Sequence, residues 1–336
     1  MITPSFGLTS TERVLPRLAL DFTTALLDSR VTFTRTGNTA TVTNSSGVIV
    51  GINADLPRFD YNPTTLVCKG LLIEEARTNL LLNSLIDGTN LTTQIVTTTA
   101  VSTTLSFYGT GQIVLSGTSS ATVTGTGAYP SRKTHTFTPT AGALTLTVTG
   151  TVQYAQLEVG GFATSFIPTA ASQVTRTADL ATMTGTNFSD WYNATEGAFN
   201  VQIINMDSTT ADSTIFCTDD GATNQQNQNS FRVITTGTSY LNTIRTANVQ
   251  VSSLSTGTVT VGSLANIAGA YKLDSFAAAL NGGTTQTDTG GGVPPSQTRL
   301  RFGLRGTGTP VMSMHLQKLN YWPQRLTNNE VRAFSK

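Results

Sequence analysis

The chain has 336 residues, of which 12% are charged and 38% are hydrophobic, and its formal net charge is +1. This length predicts two or three domains, because a single small sandwich needs far fewer residues. A net charge so close to zero argues against nucleic acid or an anionic membrane as a partner, since either would favour a basic stripe. No apolar run approaches the ~20 residues that a membrane helix needs, so we expect no membrane insertion.

Thiol and imidazole side chains are too few for most reactive sites. Cys68 and Cys217 lie far apart, so we expect two separate buried thiols, while a disulfide between them stays open. With only His135 and His315, the chain lacks the spacing of a common zinc motif and the partners of a catalytic triad. The first six residues carry no basic stretch followed by an apolar one, so we expect no secretion signal and synthesis in a host cytoplasm.

We expect residues 1–84 to form an irregular, strand-bearing N-terminal region that serves anchoring or assembly. Leu18, Leu20 and Phe22 alternate with polar or small residues, and so do Val31, Phe33 and Arg35, which is the period of a strand with one buried face. Two further strands, over 39–43 and 48–50, flank the sequence Asn-Ser-Ser-Gly, whose residue types favour a hairpin turn.

A resemblance to a known class of protein lies in this region. The run FTRTGNTATV, continued by GVIVGINADLPRFDYNPTTLVCKGLLIEEARTNLLLNS, resembles a segment of structural proteins of tailed bacteriophages and prophages. The resemblance implies a virion protein in which this segment precedes β-sandwich modules. Its most distinctive part is EEARTN. The paired Glu74 and Glu75 invite a catalytic interpretation, but neighbours on a strand point to opposite faces, so we favour an ion pair with Arg77.

Residues 85–170 predict a small β-sandwich. Short strands over 113–115, 121–124, 134–137 and 144–148 are separated by turns rich in Thr and Gly, which is typical of a compact sandwich. The closing run VQYAQLEVGGFATSFIPT resembles the last strands of carbohydrate-binding-module-like sandwiches in phage proteins. We interpret its lone carboxylate, Glu158, as a hydrogen-bond acceptor at a rim or turn and not as a catalytic group.

We expect residues 171–187 to form a linker and residues 188–336 to form a second, larger sandwich. Strands are expected over 199–203, 215–218, 231–234, 267–273 and 276–280, and the pair Asn281-Gly282 favours a tight turn. The order of GAYKLDSFAAALNGG, RLRFG and MHLQKLNYWPQRLTNNEV resembles the laminin-G/concanavalin-like jelly roll, which implies that fold for this part.

The last forty residues predict a pair of strands. Leu300, Phe302 and Leu304 alternate with three arginines (299, 301 and 305), which we expect on a solvated or subunit-facing side. The apolar residues of 312–321 change parity part-way, so we predict a β-bulge near Gln317-Lys318.

A helix is expected after that strand. Trp322-Pro323 ends the strand, because proline cannot donate a hydrogen bond to a neighbouring strand. Residues 327–330 (Thr-Asn-Asn-Glu) match a capping box, which starts a helix that runs to about Phe334.

One candidate metal site stands out. Asp219, Asp220 and Asn224 could supply oxygen ligands to a calcium ion at a sandwich rim, because calcium takes six to eight oxygens from loops of this composition. The same residues are also ordinary turn formers, and the spacing of an EF-hand is absent.

Glycan binding would need flat aromatic rings beside hydrogen-bonding side chains. Trp191, Tyr192, Tyr240 and Trp322 are the candidates, with asparagines and glutamines nearby. The alternative is that these rings fill a core, since aromatic residues dominate buried area when a chain has few of them.

These patterns predict an all-β chain of tandem β-sandwiches that catalyses no reaction. With the resemblance, they lead us to expect a phage virion component (tail fibre, appendage or surface-decoration protein) that contacts host surface polysaccharide. Its other partners would be virion proteins and copies of itself, with a trimer as the leading state, because sheet edges need covering. The alternatives are a virion-associated glycan lyase or hydrolase and a free glycan-binding lectin. Apart from the candidate calcium ion, we expect no cofactor.

Overall fold

The protein folds into two β-sandwiches that meet at a buried junction. The computed structural model describes residues 15–206, 212–222, 226–234, 239–258, 260–304 and 312–336. Strands dominate these residues and helices are short, which confirms the predicted all-β class of tandem sandwiches. None of the helices within those ranges is long and apolar enough to cross a membrane.

Strands and helices are numbered in chain order. The N-terminal part contains β1 (Leu18–Asp21), a 3₁₀ turn (Phe22–Thr24), β2 (Thr32–Thr34), β3 (Ala40–Thr43), β4 (Ile49–Ile52), β5 (Phe59–Tyr61), β6 (Cys68–Ile73) and β7 (Arg77–Asn79). The middle part contains β8 (Gln94–Thr98), β9 (Thr103–Tyr108), β10 (Gln112–Gly117), β11 (Ala121–Thr124), β12 (Lys133–Phe137), β13 (Gly142–Thr149) and β14 (Gln153–Val159). The C-terminal part contains β15 (Val174–Arg176), β16 (Leu180–Thr184), α1 (Thr186–Ser189), β17 (Glu196–Asn205), β18 (Ser213–Asp219), β19 (Gln228–Ile234), β20 (Ser239–Thr246), β21 (Val249–Thr258), β22 (Leu264–Lys272), β23 (Phe276–Leu280), β24 (Gln286–Asp288), β25 (Arg299–Phe302), β26 (Met314–Trp322) and α2 (Asn328–Phe334).

The middle strands form a small sandwich of two sheets. One sheet has the order β11-β10-β13-β8 and the other has the order β12-β9-β14. In β13, Leu144 and Leu146 are fully buried, whereas Thr147 is exposed. The leucines belong to the same core cluster as Leu105 and Phe107 of β9. The two-residue period of the sequence therefore gives each sheet one apolar face, and these faces pack together.

The larger sandwich is a jelly roll of two facing sheets. Its first sheet has the order β24-β23-β22-β17-β26-β6-β5, with β1 also paired to β26, and its second sheet has the order β2-β16-β25-β18-β19-β20-β21. One apolar core lies between them. The ring of Phe199 on the first sheet packs against Phe216 and Phe231 on the second, with centroids 5.0 and 6.3 Å apart.

The N-terminal region does not form a unit of its own. Strands β1 and β6 pair with β26 and β5 pairs with β6 in the first sheet, while β2 pairs with β16 in the second. The hairpin β3–β4 forms around the predicted turn. Residues 171–187, expected to be a linker, carry β15, β16 and α1. The boundaries at residues 84 and 187 therefore do not separate sheets, because the jelly roll takes strands from both sides of them.

Strand β26 carries the predicted β-bulge. Its register with β17 leaves Gln317 as the extra residue, and the bulge returns Leu316 and Leu319 to the same buried face. The strand ends at Trp322, as expected. Beside the bulge, β6 has Gly70 with φ +109°, where any Cβ would clash with the carbonyl group of Leu316. Glycine is needed here because the two strands approach so closely.

Helix α2 covers the outer face of the first sheet. The Thr327 hydroxyl accepts the N–H of Glu330, and the Glu330 carboxylate accepts the N–H of Thr327 at 2.7 Å, which confirms the capping box. Val331 and Phe334 pack against Trp322 and the alanines of β22 and β23. Small alanine side chains let the helix lie close to the sheet. Both cysteines are free thiols, as predicted, but only Cys217 is buried, whereas Cys68 is half-buried.

The arginine side of β25 is partly buried. Its apolar residues face the core as predicted, and Leu304, which follows the strand, is only 6% exposed. Arg301 is 5% exposed, because its Nε lies 2.8 Å from Asp219 Oδ2 of β18. Arg299 shares this carboxylate, with its Nε 2.6 Å from Oδ1. The prediction of a solvated side is therefore wrong for Arg301, since an acid from another strand covers it; Arg305 lies outside the described residues.

We predict that Leu304→Ala and Arg301→Ala both destabilise the protein strongly. Leu304→Ala should cost about 2–5 kcal/mol, because it leaves a cavity in the core. Arg301→Ala should cost about 3–5 kcal/mol, because it removes a partner from the buried charge of Asp219. Arg299→Ala is the control and should cost less, since its side chain is 26% exposed. Denaturant unfolding of the full chain measures all three, and equal small shifts would mean that β25 is not a core strand.

Candidate functional site

The aromatic residues predicted to bind glycans lie in the core. Trp191, Tyr240 and Trp322 are 2%, 1% and 2% exposed. Tyr192 is half-buried and stacks on Phe188 with ring centroids 4.7 Å apart, and burial raises the pKa of Tyr192 to about 12. A stacked sugar needs an exposed ring face, so these four residues are not a glycan platform. They fill the jelly roll and the space under α2 instead.

The predicted calcium ligands are also committed elsewhere. Asp219 is buried and binds Arg299 and Arg301. Asp220 accepts hydrogen bonds from Asn227 and from a backbone N–H of its own turn, while Asn224 lies outside the described residues. In the part of the chain that the structure describes, no three acidic, histidine or cysteine side chains are grouped as metal ligands. The arginines thus occupy the carboxylate that the ion would need.

The distinctive segment around Glu74 belongs to what we call the buried ionic network. Its members are Arg35, Arg58, Glu74, Arg176 and Asp179, and all five side chains are fully buried. Glu74 Oε2 lies 2.8 Å from Arg58 Nη1 and 2.5 Å from Arg176 Nη1. Asp179 also binds Arg58, and its Oδ1 lies 3.2 Å from Arg35 Nη1.

Mutual pairing keeps the network ionised. Burial by itself would raise the pKa of Glu74, but the charges of Arg176 and Arg58 hold that pKa far below its usual value. Burial would likewise lower the pKa of Arg58, whereas the two carboxylates raise it. For Arg35 and Arg176 burial is the larger effect and lowers the pKa, yet a guanidinium stays charged in proteins. Removing any one member would therefore leave a buried charge with too few partners.

The network joins three parts of the chain. Two of its arginines come from the N-terminal region, Glu74 follows β6, and its last two members lie between the small sandwich and the jelly roll. Ser165, at the close of the small sandwich, donates its N–H and its hydroxyl to Glu74 at 2.7 and 2.6 Å. The relative placement of the two sandwiches thus depends on these contacts.

Glu158 lies beside the network and is fully buried. Its carboxylate accepts the N–H and the hydroxyl of Thr164 at 2.8 and 2.7 Å. Of the two predicted positions, a rim or a turn, the rim is wrong, because the segment after β14 folds back over the carboxylate. Its contacts are those of an acceptor that holds a turn.

Next to the network, the β3–β4 hairpin, the β5–β6 pair and the small sandwich enclose a cleft of about 210 Å³. We call it the interdomain cleft. Asp60 and Lys69 line it from the jelly roll, and Tyr108, Tyr129 and Arg132 line it from the small sandwich. Ligand sites favour such boundaries, where a few polar groups converge among apolar ones.

A second β-bulge builds the polar wall of the cleft. The register of the β5–β6 pair leaves Lys69 as the extra residue, and its ammonium group binds the carboxylate of Asp60. Asp60 Oδ1 also accepts the N–H of Thr43 at 3.0 Å, and its Oδ2 lies 2.8 Å from His315 Nε2. The sequence around His315 contains no nearby acid, because the acid that binds it comes from 255 positions earlier in the chain.

The surroundings of His315 favour its neutral form. Burial lowers its pKa, although the hydrogen bond to Asp60 opposes that effect. Since a carboxylate only accepts hydrogen bonds, the single imidazole proton lies on Nε2. Nδ1 is buried and has no hydrogen-bond partner among the described residues, so a second proton would gain nothing there.

Packed tyrosines form the aromatic wall. The rings of Tyr108 and Tyr129 are 5.1 Å apart, and behind them Tyr154 packs on Phe166 at 5.4 Å. The Tyr129 hydroxyl donates to Thr43 Oγ1 at 3.2 Å, which joins the small sandwich to the β3–β4 hairpin. Tyr108 and Tyr129 are half-buried and line the cleft, so this wall offers ring surface to a ligand.

No family model and no curated protein matches the chain. Similar solved structures include a heptameric SAP-like pentraxin from Limulus polyphemus (15% identity, 43% of this chain, 70% of that chain, TM-score 0.34). They also include the K499G mutant of NanB sialidase from Streptococcus pneumoniae (10% identity, 45% of this chain, 26% of that chain, TM-score 0.38). A third is the CBM40 of Ruminococcus gnavus IT-sialidase (11% identity, 43% of this chain, 84% of that chain, TM-score 0.37). The chain thus spans about a quarter of the NanB sialidase chain. Each likeness covers less than half of this chain.

The sequence did not identify the cleft. Its lining comes from separate segments, around residues 41–72, 108, 129–132 and 164–166. None of these segments carries a motif for ligand binding by itself. The aromatic piece between Pro57 and Pro63 favours an extended strand, but the sequence does not show what this strand faces.

We predict that Glu74→Gln and Glu75→Gln differ sharply in stability. Glu74→Gln leaves Arg58 and Arg176 beside a neutral amide, which should cost about 3–5 kcal/mol. Glu75 is the matched control: it is half-buried and forms the expected ion pair with Arg77, whose Nε lies 3.0 Å from Oε1. Its replacement should cost about 1 kcal/mol or less. Denaturant unfolding of the full chain measures both, and similar costs would contradict the network.

A second prediction concerns pH. Because the folded state lowers the pKa of His315 below its usual 6.5, the unfolded chain binds the proton more readily. The stability that neutral His315 contributes is present above about pH 6.5 and is lost as the pH falls towards the folded pKa. His315→Gln should flatten this part of the stability profile, whereas His135→Gln, on half-exposed β12, serves as the control. Urea unfolding between pH 7.5 and 5 measures the slope, and an unchanged slope in His315→Gln would count against this assignment.

Proposed function

We propose that this chain is a structural, glycan-contacting protein of a tailed-phage virion, of the tail-fibre, appendage or surface-decoration type. We further propose that the interdomain cleft is its glycan site. The observation that carries the proposal is the convergence of aromatic rings with Asp60, Lys69 and Arg132 at a junction that buried charges hold in place. Ring faces beside a few fixed polar groups suit a sugar, which has apolar faces and a hydroxyl rim.

The virion part rests on the resemblance of residues 33–84 and 152–169 to phage structural proteins. These two segments supply Glu74 and Ser165, which bind each other across the junction. A rigid junction suits a structural protein whose sandwiches must keep their relative placement. The proposed partners are other virion proteins and copies of the chain itself, with a trimer as the leading state. The ten-residue outer strand β21 supports association, since it carries no charged side chain to protect its edge.

The alternative from another class is a virion-associated glycan lyase or hydrolase. A hydrolase uses two carboxyl groups that flank the scissile bond. Among the described residues that line the cleft, Asp60 is the one carboxylate, and Lys69 and His315 already bind it. This supports contact without turnover, so we propose that the protein is not an enzyme.

Binding of the full chain to capsular and lipopolysaccharide-derived glycans tests the proposal. Tyr129→Ala should weaken binding by roughly thirtyfold, because truncating a central tyrosine of a binding site typically costs about 2 kcal/mol. Tyr61→Ala is the matched control, since this half-buried tyrosine lies outside the cleft lining. Calorimetry on the wild type and both variants measures the affinities.

Three outcomes would contradict parts of the proposal. Glycan shortened by the wild-type protein would favour the lyase or hydrolase. Glycan binding by a protein that mass spectrometry does not find in purified particles would favour the free lectin. Equal binding by Tyr129→Ala and the wild type would place the glycan outside the interdomain cleft.

A further inference from the structure

One guanidinium on the cleft wall has unused donors. Arg132 Nη1 donates to the carbonyl of Thr164 at 2.7 Å, and its Nη2 donates to the hydroxyl of Ser106 at 2.7 Å. Its Nε is buried and has no hydrogen-bond partner within the described ranges. Arginine has five N–H donors in a planar fork, and with Nε buried the donors left for a ligand are the second N–H of Nη1 and the second N–H of Nη2.

The position of this guanidinium is fixed before any ligand arrives. Its two hydrogen bonds hold it from both ends of the fork. Its Cζ also lies 5.9 Å from the centre of the Tyr108 ring, which is within the range of a cation–π contact. A donor held in this way loses little conformational entropy when it binds an acceptor.

The charges of the cleft do not balance. Its charged lining residues are Asp60, Lys69 and Arg132. The carboxylate of Asp60 is neutralised by Lys69 and also bonded to Thr43 and His315. No described carboxylate pairs with Arg132, which leaves one uncompensated positive charge beside the aromatic wall.

We infer that the interdomain cleft takes an acidic sugar, and that its carboxylate binds Arg132. This inference rests on the proposed glycan function and names the class of glycan. Arginine suits a carboxylate, because parallel N–H···O bonds match the two oxygens and charge strengthens them. The sugar ring lies against Tyr108 and Tyr129. The small volume of the cleft, about 210 Å³, suits one acidic residue of a polymer and not a long segment.

The experiment compares native polysaccharides with their carboxyl-reduced forms. Polygalacturonate and hyaluronan keep their backbones after reduction but lose the charge. The wild-type full chain should bind each native form roughly tenfold to hundredfold more tightly than its reduced form, as expected for a charge-assisted hydrogen bond. Added salt should weaken binding of the native form more than binding of the reduced form.

Two variants test whether the sugar carboxylate contacts Arg132. Arg132→Gln should lose the preference for the native form and keep the affinity for the reduced form. Arg332→Gln, on the exposed side of α2, is the matched control and should behave as the wild type. If Arg132→Gln does not fold, the comparison of ligands on the wild-type protein still tests whether the cleft prefers an acidic sugar.

The outcomes separate this inference from the proposal on which it rests. Equal affinity of the wild type for native and reduced forms would overturn the acidic sugar and leave the glycan function standing. A preference for native forms that survives in folded Arg132→Gln would place the acid elsewhere. If the wild type bound no native or reduced form, and none of the glycans tested above, both the acidic-sugar inference and the proposed glycan function would be wrong.

Discussion

The buried ionic network is the constraint on which this architecture depends. Moving charges out of water costs several kcal/mol for each ion, and only good pairing offsets that cost. Glu74 meets this condition through two arginines and both donors of Ser165. The members of the network extend from Arg35 to Asp179, so they meet only when the N-terminal strands, the close of the small sandwich and the entry to the jelly roll are all in place. The network thereby makes the folding of the two sandwiches interdependent.

The interdomain cleft is a consequence of that junction. Arg58, just before β5, belongs to the network, and Asp60, on β5, lines the cleft. The two side chains lie on the same face of the chain because they are two positions apart. Ser165 serves both sites, since it binds Glu74 and also lines the cleft. Its neighbour Thr164 accepts a hydrogen bond from Arg132. Stability and recognition therefore share the segment that closes the small sandwich, and a change there would affect both.

Only 12% of the residues are charged, yet several of these charged side chains are buried. Arginines are almost never fully buried unless they are paired, and here the buried ones are paired in groups. The network holds three of them, and Asp219 gathers Arg299 and Arg301 at the other end of the jelly roll. Against this background Arg132 is conspicuous, because it faces a cleft with no described carboxylate as its partner.

The sequence by itself determined the local structure of this protein. The hairpin of β3 and β4, the strands of the small sandwich, the bulge at Gln317 and the capping box at Thr327 all follow from residues a few positions apart. Tertiary structure alone decided which faces are covered and which charges meet. Alternation placed Arg301 opposite the core residues of β25, but it could not show that an acid from β18 buries it. In the same way, only packing across 255 positions brings Asp60 to His315 and so builds the cleft wall. The physical reason is that a strand's period divides its residues between two faces, whereas burial and ion pairing depend on what the rest of the chain places against each face.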